Sequence, residues 1–409
     1  MPRFLWVLLA TLLPATILPT LAHGADWLQF RGSQHNSTAE AKLPKAFDTK
    51  TKQNIAWQAD LPGRGPSSPI AVRDRIILTA SDGARQEKLY VLAFDAKAGK
   101  ELWRRQFWAT GRTMCHPESA NAAPTPASDG ERIFAFYSSN DLICLDLQGN
   151  LLWYRGLAFD YPKAGNDVGM AASPVVAGDT VVVQIENQGD SFAAGLNTST
   201  GEERWRIARK PLANWSSPIA IKTKEGGEVV VLQDGSTITG VHPQTGEIQW
   251  KYELPCSETT STTVRDGKLF VPANGVTALD LASSPSAPKL LWDSNKIGTS
   301  GSSPVVTDNM VYSVNRAGVL ACADIKTGEV GQQLRLKGPV WASPIIADGH
   351  LYLISFEGLA HIVKLGSAPG EKATLLGTAD FGERIQGTPA VLDNALFVRS
   401  DTHLWKIAE

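Results

Sequence analysis

Two stretches of this chain are dense in side chains that could do chemistry. Residues 104–123 carry Arg112, His116, Glu118 and Asn121, and residues 154–172 carry Tyr161, Lys163, Asn166 and Asp167. His116 and Asp167 are of the types that serve as a base or a metal ligand, although a lone histidine in a loop is more often neither. Elsewhere Trp215, Trp341 and Gln386 stand three residues before a Pro or its equivalent, with Arg64 and Arg384 nearby. Indole faces flanked by Arg, Asn and Asp suit a sugar ring, a quinone or a peptide edge. The plainer alternative is that the indoles pack on neighbouring loops and the charges are solvated. The four cysteines form no CxxC or haem-attachment motif, and no HExxH is present.

What must position these residues is a repeat. Residues 303–328 are its clearest copy: Ser303-Pro304, a short β-branched run, a turn at Asp308-Asn309, a second run, a turn at Arg316-Ala317-Gly318, a third run, and a closing turn from Asp324 to Gly328. The runs are too short for helices and the breaks carry turn residues, so three antiparallel strands are predicted with a fourth to follow. Openings recur at Ser68, Thr125, Ser173, Ser217, Ser303, Ser343 and Thr388, each followed by Pro, with a degenerate copy at Thr262-Thr263. Closing turns lead to Trp103, Trp153, Trp205, Trp250 and Trp292, fading to Gln333 and Leu376.

Eight openings face only seven following ends, and Ile55-Ala56-Trp57 is an eighth fourth strand placed before the first opening. The expected fold is therefore all-β, an eight-bladed propeller of four-stranded antiparallel blades, with Ile55-Trp57 completing the last blade. The phase of the repeat reassigns several conspicuous residues. Trp57, Trp103, Trp153, Trp205, Trp250 and Trp292 become inter-blade docking residues. Cys144 and Cys322 share a position with Ala93, Gly195, Gly240 and Ala278, so they read as small buried hydrophobes. Cys115 and Cys256 lie before blades that are not neighbours, and free thiols are expected.

Residues 1–24 read as a cleavable signal peptide: Arg3, an apolar run to Leu18 interrupted by Pro14, then Ala22-His23-Gly24. Removing it takes the formal charge from −2 to −3, with no basic face for nucleic acid. No membrane segment is expected after cleavage, and no cysteine near the cleavage point offers a lipid anchor. Residues 25–54 read as an irregular N-terminal arm laid over the body, and residues 55–409 as the propeller.

The closing motif, whole in Ala93-Phe94-Asp95-Ala96-Lys97-Ala98-Gly99-Lys100-Glu101-Leu102-Trp103, resembles the tryptophan-docking repeat of the pyrroloquinoline-quinone-like (PQQ-like) propeller family. That resemblance covers residues 57–407. It implies the eight-bladed fold and two kinds of relative, quinoprotein dehydrogenases and non-enzymatic scaffolds such as the periplasmic propeller lipoprotein of outer-membrane assembly. The dehydrogenases hold PQQ with Ca²⁺ on carboxylate and amide oxygens, and several have adjacent cysteines. Here no two cysteines are adjacent, and no Ca²⁺ ligand can be carried over residue by residue.

Two functions follow as expectations. The favoured one is an exported, monomeric, non-catalytic propeller that needs no cofactor and binds a protein, peptide or glycan at its channel rim. The alternative is a PQQ- and Ca²⁺-dependent dehydrogenase of alcohols or sugars, with Asp167 or Glu118 near the metal.

Overall fold

The computed structural model describes residues 25–165, 168–223, 226–281, 287–299, 301–366 and 370–409. The predicted leader, Asn166 and Asp167 lie outside the described residues.

The repeat folds as its pattern predicts. Eight four-stranded antiparallel sheets follow in chain order, blade 1 being Ile70–Val72, Arg75–Asp82, Lys88–Asp95 and Glu101–Trp108. Blade 8 is built from Ala390–Leu392, Ala395–Arg399 and His403–Ile407, and its outer strand is Ile55–Asp60, in register Ile55↔Ile407 and Asp60↔His403. Closing the ring this way leaves no blade with a missing strand. The innermost strands are buried on both faces, whereas outer strands such as Glu101–Trp108 alternate half-buried with exposed residues, as one wet face requires.

Two features lock blade to blade. In the first, the indole Nε1 of Trp57, Trp103, Trp153, Trp205 and Trp292 donates to the next blade's carbonyl at Ala96, Leu147, Thr198, Pro243 and Ile325, at 2.7–3.3 Å. Beneath these rings lie Gly99, Gly149, Gly201, Gly246 and Gly328, with φ of 70–82° and no room for a Cβ. Glycine is thus demanded twice at one position, by conformation and by space. The cross-strand partner of the tryptophan must also be small: Trp103 faces Ala93, Trp153 faces Cys144 and Trp205 faces Gly195.

The same pairing corrects two register assignments. In blade 6 the docking position is Gln332, opposite Cys322, and not Gln333; its amide bonds the backbone of Ala373 from both ends. In blade 7 it is Gly377 rather than Leu376, and the volumes are exchanged, with Ile362 opposite the glycine. Adjacent glutamines, and a leucine beside a glycine, hide a one-residue shift once the indole is gone.

The second feature is a belt of hydroxyls. The backbone N–H of Ser68 donates to Thr125 Oγ1, Thr125 to Ser173, Ser173 to Ser217, Ser217 to Ser261, Ser261 to Ser303, Ser303 to Ser343 and Ser343 to Thr388, all at 2.9–3.1 Å. The degenerate opening is therefore Ser261-Thr262, with Thr262 in the place of Pro, one residue earlier than the sequence pattern indicates. A run of five hydroxyl residues, 259–263, masks its own phase without the proline.

The arm does more than lie over the body. Trp27 pairs its backbone with Ala71, Leu28 O accepts from Ser128, His35 Nε2 accepts from Ala220, Asn36 bonds Val306 at both backbone atoms, and Thr38–Ala39 adds a parallel strand to Ile345–Ala347. Arg31 reaches the start of blade 5's inner strand, donating to Thr262 O and to Thr263 Oγ1. The segment crosses the end of the ring where inner strands finish, touching the inner elements of blades 1, 2, 4, 5, 6 and 7. Burial holds His35 down at about 3, and pushes Arg31 down to about 9. Trp27, Leu43 and Phe47 are buried as anchors, but so are the polar Arg31, His35 and Asn36.

Candidate functional site

The other end of the ring is where the segments crossing from each outer strand to the next inner strand meet the turns between second and third strands. In blades 5–7 these elements enclose one groove with a cavity volume of about 580 Å³. Its walls are Pro255, Cys256, Ser257 and Thr259 from the segment entering blade 5, Thr299 and Gly301 from that entering blade 6, and Pro339, Val340 and Trp341 from that entering blade 7. Ala273-Asn274 and Arg316 reach in from the turns of blades 5 and 6.

Each wall is held from behind. Trp215 N–H donates to Glu258 O, Ser257 N–H to Pro272 O, and Phe356 N–H to Pro339 O. The Trp341 ring lies on Gly301, where an added Cβ would sit 2.2 Å from the indole, yet 44% of the residue remains exposed. Among the described residues no Asp, Glu or His lines the groove, and burial pushes its thiol, Cys256, up to about 12. At neutral pH that thiol is protonated.

The arc over blades 2–4 is built the opposite way. It holds the buried carboxylates of the described residues, Asp141, Glu186 and Asp234. Asp141 accepts from Thr110, Ser139 and Tyr154. Glu186 and Asp234 are bridged by Arg209, at 2.6 Å and 3.2 Å. Burial raises the Glu186 carboxyl, while backbone and hydroxyl donors at Ser236 and Thr237 hold Asp234 below the usual carboxylate range.

The residues singled out in the sequence disperse accordingly. Of them, Trp341 alone lines the groove. Trp215, at the matching place in blade 4, is half-buried and gives its Nε1–H to Gly169 O at 2.8 Å, so it is a packing residue. Asn121 is fully buried and latches Gln86 to Ser139 N–H. His116 is exposed, its Nδ1 accepting from the Glu118 backbone, and Glu118 is exposed beside it. Arg112 is exposed and touches Met114 Sδ. Arg64 donates to Pro117 O, Arg384 stacks over Phe356 at 5.0 Å, and Gln386 is half-buried. Tyr161 is drawn to Glu203 and lies under Arg206. The groove residues missed in the sequence, Arg316 and Asn274, sit in short turns that gave no signal beyond their turn chemistry.

A Ca²⁺-bound quinone does not fit these donors. Glu186, Asp234 and Asn214 are the nearest approach to a carboxylate and amide set, and the Arg209 guanidinium already supplies the positive charge between the two acids. Among the described residues no group of three or more His, Cys, Asp or Glu could hold a metal ion.

The family model described as "Outer membrane protein assembly factor BamB" matches residues 45–189, 90–330 and 273–373. Among curated proteins the chain is 24% identical over 198 residues to outer membrane protein assembly factor BamB of Burkholderia pseudomallei, and 27% identical over 241 residues to quinohemoprotein alcohol dehydrogenase ADH IIB of Pseudomonas putida. These matches cover 46% and 55% of this chain but only 42% and 33% of those proteins. In fold it is similar to BamB from Moraxella catarrhalis, with TM-score 0.62 and 17% identity over 86% of this chain and 96% of that one. A europium-containing methanol dehydrogenase gives 0.66 and 12% identity over 94% and 98%.

Proposed function

Because the chain belongs to the family of the outer membrane protein assembly factor BamB, we propose that it is an exported, non-catalytic scaffold that holds an extended polypeptide of a partner protein in the groove of blades 5–7. The observation that carries this reading is the groove's composition: an exposed indole face, two prolines, an arginine and an amide, with no acid, base or reactive thiol in its walls. Such a surface suits an apolar side chain on an extended backbone. Export is supported by the apolar run of residues 4–18 and the small residues after it. No helix among the described residues is long and apolar enough to cross a membrane.

The test is capture of a urea-unfolded outer-membrane β-barrel polypeptide diluted into the folded protein. Trp341→Ala is expected to lower capture at least tenfold with little change in Tm; undiminished capture would remove the groove from the function. A parallel titration with PQQ and Ca²⁺, followed by Tm and dye reduction with alcohols and sugars, is expected to give neither a shift nor turnover. Saturable stabilisation with turnover would instead make the chain a quinoprotein.

A further inference from the structure

The groove's polar groups are unevenly chosen. Around the ring some exposed and half-exposed arginines are paired, Arg75 with Asp74, Arg104 with Glu101, Arg155 with Asp160, Arg204 with Asp179 and Arg265 with Asp308, while others such as Arg64, Arg335 and Arg384 meet backbone carbonyls or an aromatic ring. Arg316 is exposed at the groove and has no carboxylate within ion-pair distance among the described residues. Beside it, Asn274 is exposed, and the Trp341 Nε1–H has no acceptor among the described residues. Two acids flank the wall without lining it, Glu258 with its carboxylate against Gly235 and Glu357 with its carboxylate against Gly338. Arg335 adds a second cation behind Arg316, donating to Ala317 O. The described lining therefore offers one guanidinium and one amide beside an aromatic wall.

Resting on the groove reading above, we infer that the polypeptide held there is an acidic segment with an aromatic side chain next to its carboxylate. The carboxylate takes Arg316 and the Asn274 amide, and the ring takes the free face of Trp341. A guanidinium fork and a planar amide match two carboxylate oxygens better than a neutral amide's single oxygen. Because the pair is solvent-exposed, the preference for acid over amide is expected to be only about three- to tenfold, and to shrink in high salt.

The test uses the full mature chain and three fluorescein-labelled hexapeptides that share one phenylalanine, flanked by aspartates, asparagines or lysines, with binding read by polarisation at low and high salt. The expected order is aspartate over asparagine over lysine, flattened by Arg316→Gln and reversed by Arg316→Glu, with all three weakened at least tenfold by Trp341→Ala. Equal binding of the three peptides, still lost in Trp341→Ala, would overturn the acidic preference and leave the groove reading intact. Binding of none of them, with a neutral oligosaccharide bound instead in a Trp341-dependent way, would overturn both. Arg316 is exposed, so its variants are expected to fold, and their Tm checks this.

Discussion

The same position of the repeat has opposite fates in two arcs of the rim. Trp215 and Trp341 each stand three residues before the opening proline, and each leans back toward the preceding blade. Trp215 meets a long crossing segment that offers Gly169 O to its indole and covers its face. Trp341 meets a short one, where Gly301 supports the ring and nothing covers it. The segments entering blades 2 and 3 are long and that entering blade 4 short, and in this arc acids are buried against donors, while the short segments of blades 5–7 leave a groove. Availability for binding at a rim of this kind is decided by what the neighbouring segment fails to fill.

The hardest blow to this contrast falls on the closed arc. Arg209→Met leaves Glu186 and Asp234 buried without their cation and is expected to cost about 3–5 kcal/mol, measured by urea unfolding. A loss near zero would mean that the arc is open to water and not locked. Next come the two tryptophans: Trp215→Ala should cost about 2 kcal/mol, through lost packing and an orphaned carbonyl, and Trp341→Ala under about 1 kcal/mol. Equal costs would erase the distinction between covered and uncovered indoles.

A smaller, graded effect comes from beneath both arcs. His35 is held neutral down to about pH 3 by burial and by Arg31, so the unfolded chain binds the extra proton first. Stability is fully present above the unfolded value near 6.5 and falls as pH drops toward 3, by up to about 1.4 kcal/mol per pH unit. His35→Gln is expected to flatten that slope in an acid series of Tm measurements. Smallest of all, His116→Ala in the exposed part of the closed arc should leave both Tm and peptide binding unchanged, since its ring touches only a backbone N–H two residues away.

Fold was far more legible than site because the repeat states each architectural demand eight times. One proline at an opening, or one Gly four residues before a Trp, means little, but recurrence fixes the phase, and it slipped by a residue where the marker was lost, at Ser261, Gln332 and Gly377. The groove has no such redundancy. His116, Glu118 and Asn121 drew attention because they cluster in sequence, yet a long segment needs polar residues to satisfy its own backbone, as Asn121 does. Arg316 and Trp341 come together only because blades 6 and 7 are adjacent in space. The arm's polar anchors were illegible for a related reason: Arg31 and His35 find their partners only on inner strands distant in sequence.

The completion of blade 8 by Ile55–Asp60 also sets the order of folding. Its pairing with His403–Ile407 joins ends roughly 350 residues apart, and closing so large a loop costs about 3 kcal/mol more entropy than closing a hairpin of ten. The seam is therefore expected to zip last, after the blades between have formed from local hairpins. Until then a chain emerging from its N-terminus must keep one strand in waiting, and the three-stranded sheet made at the end presents a bare edge to any neighbour. Until Ile55–Asp60 arrives, that edge is a template on which another chain can pair.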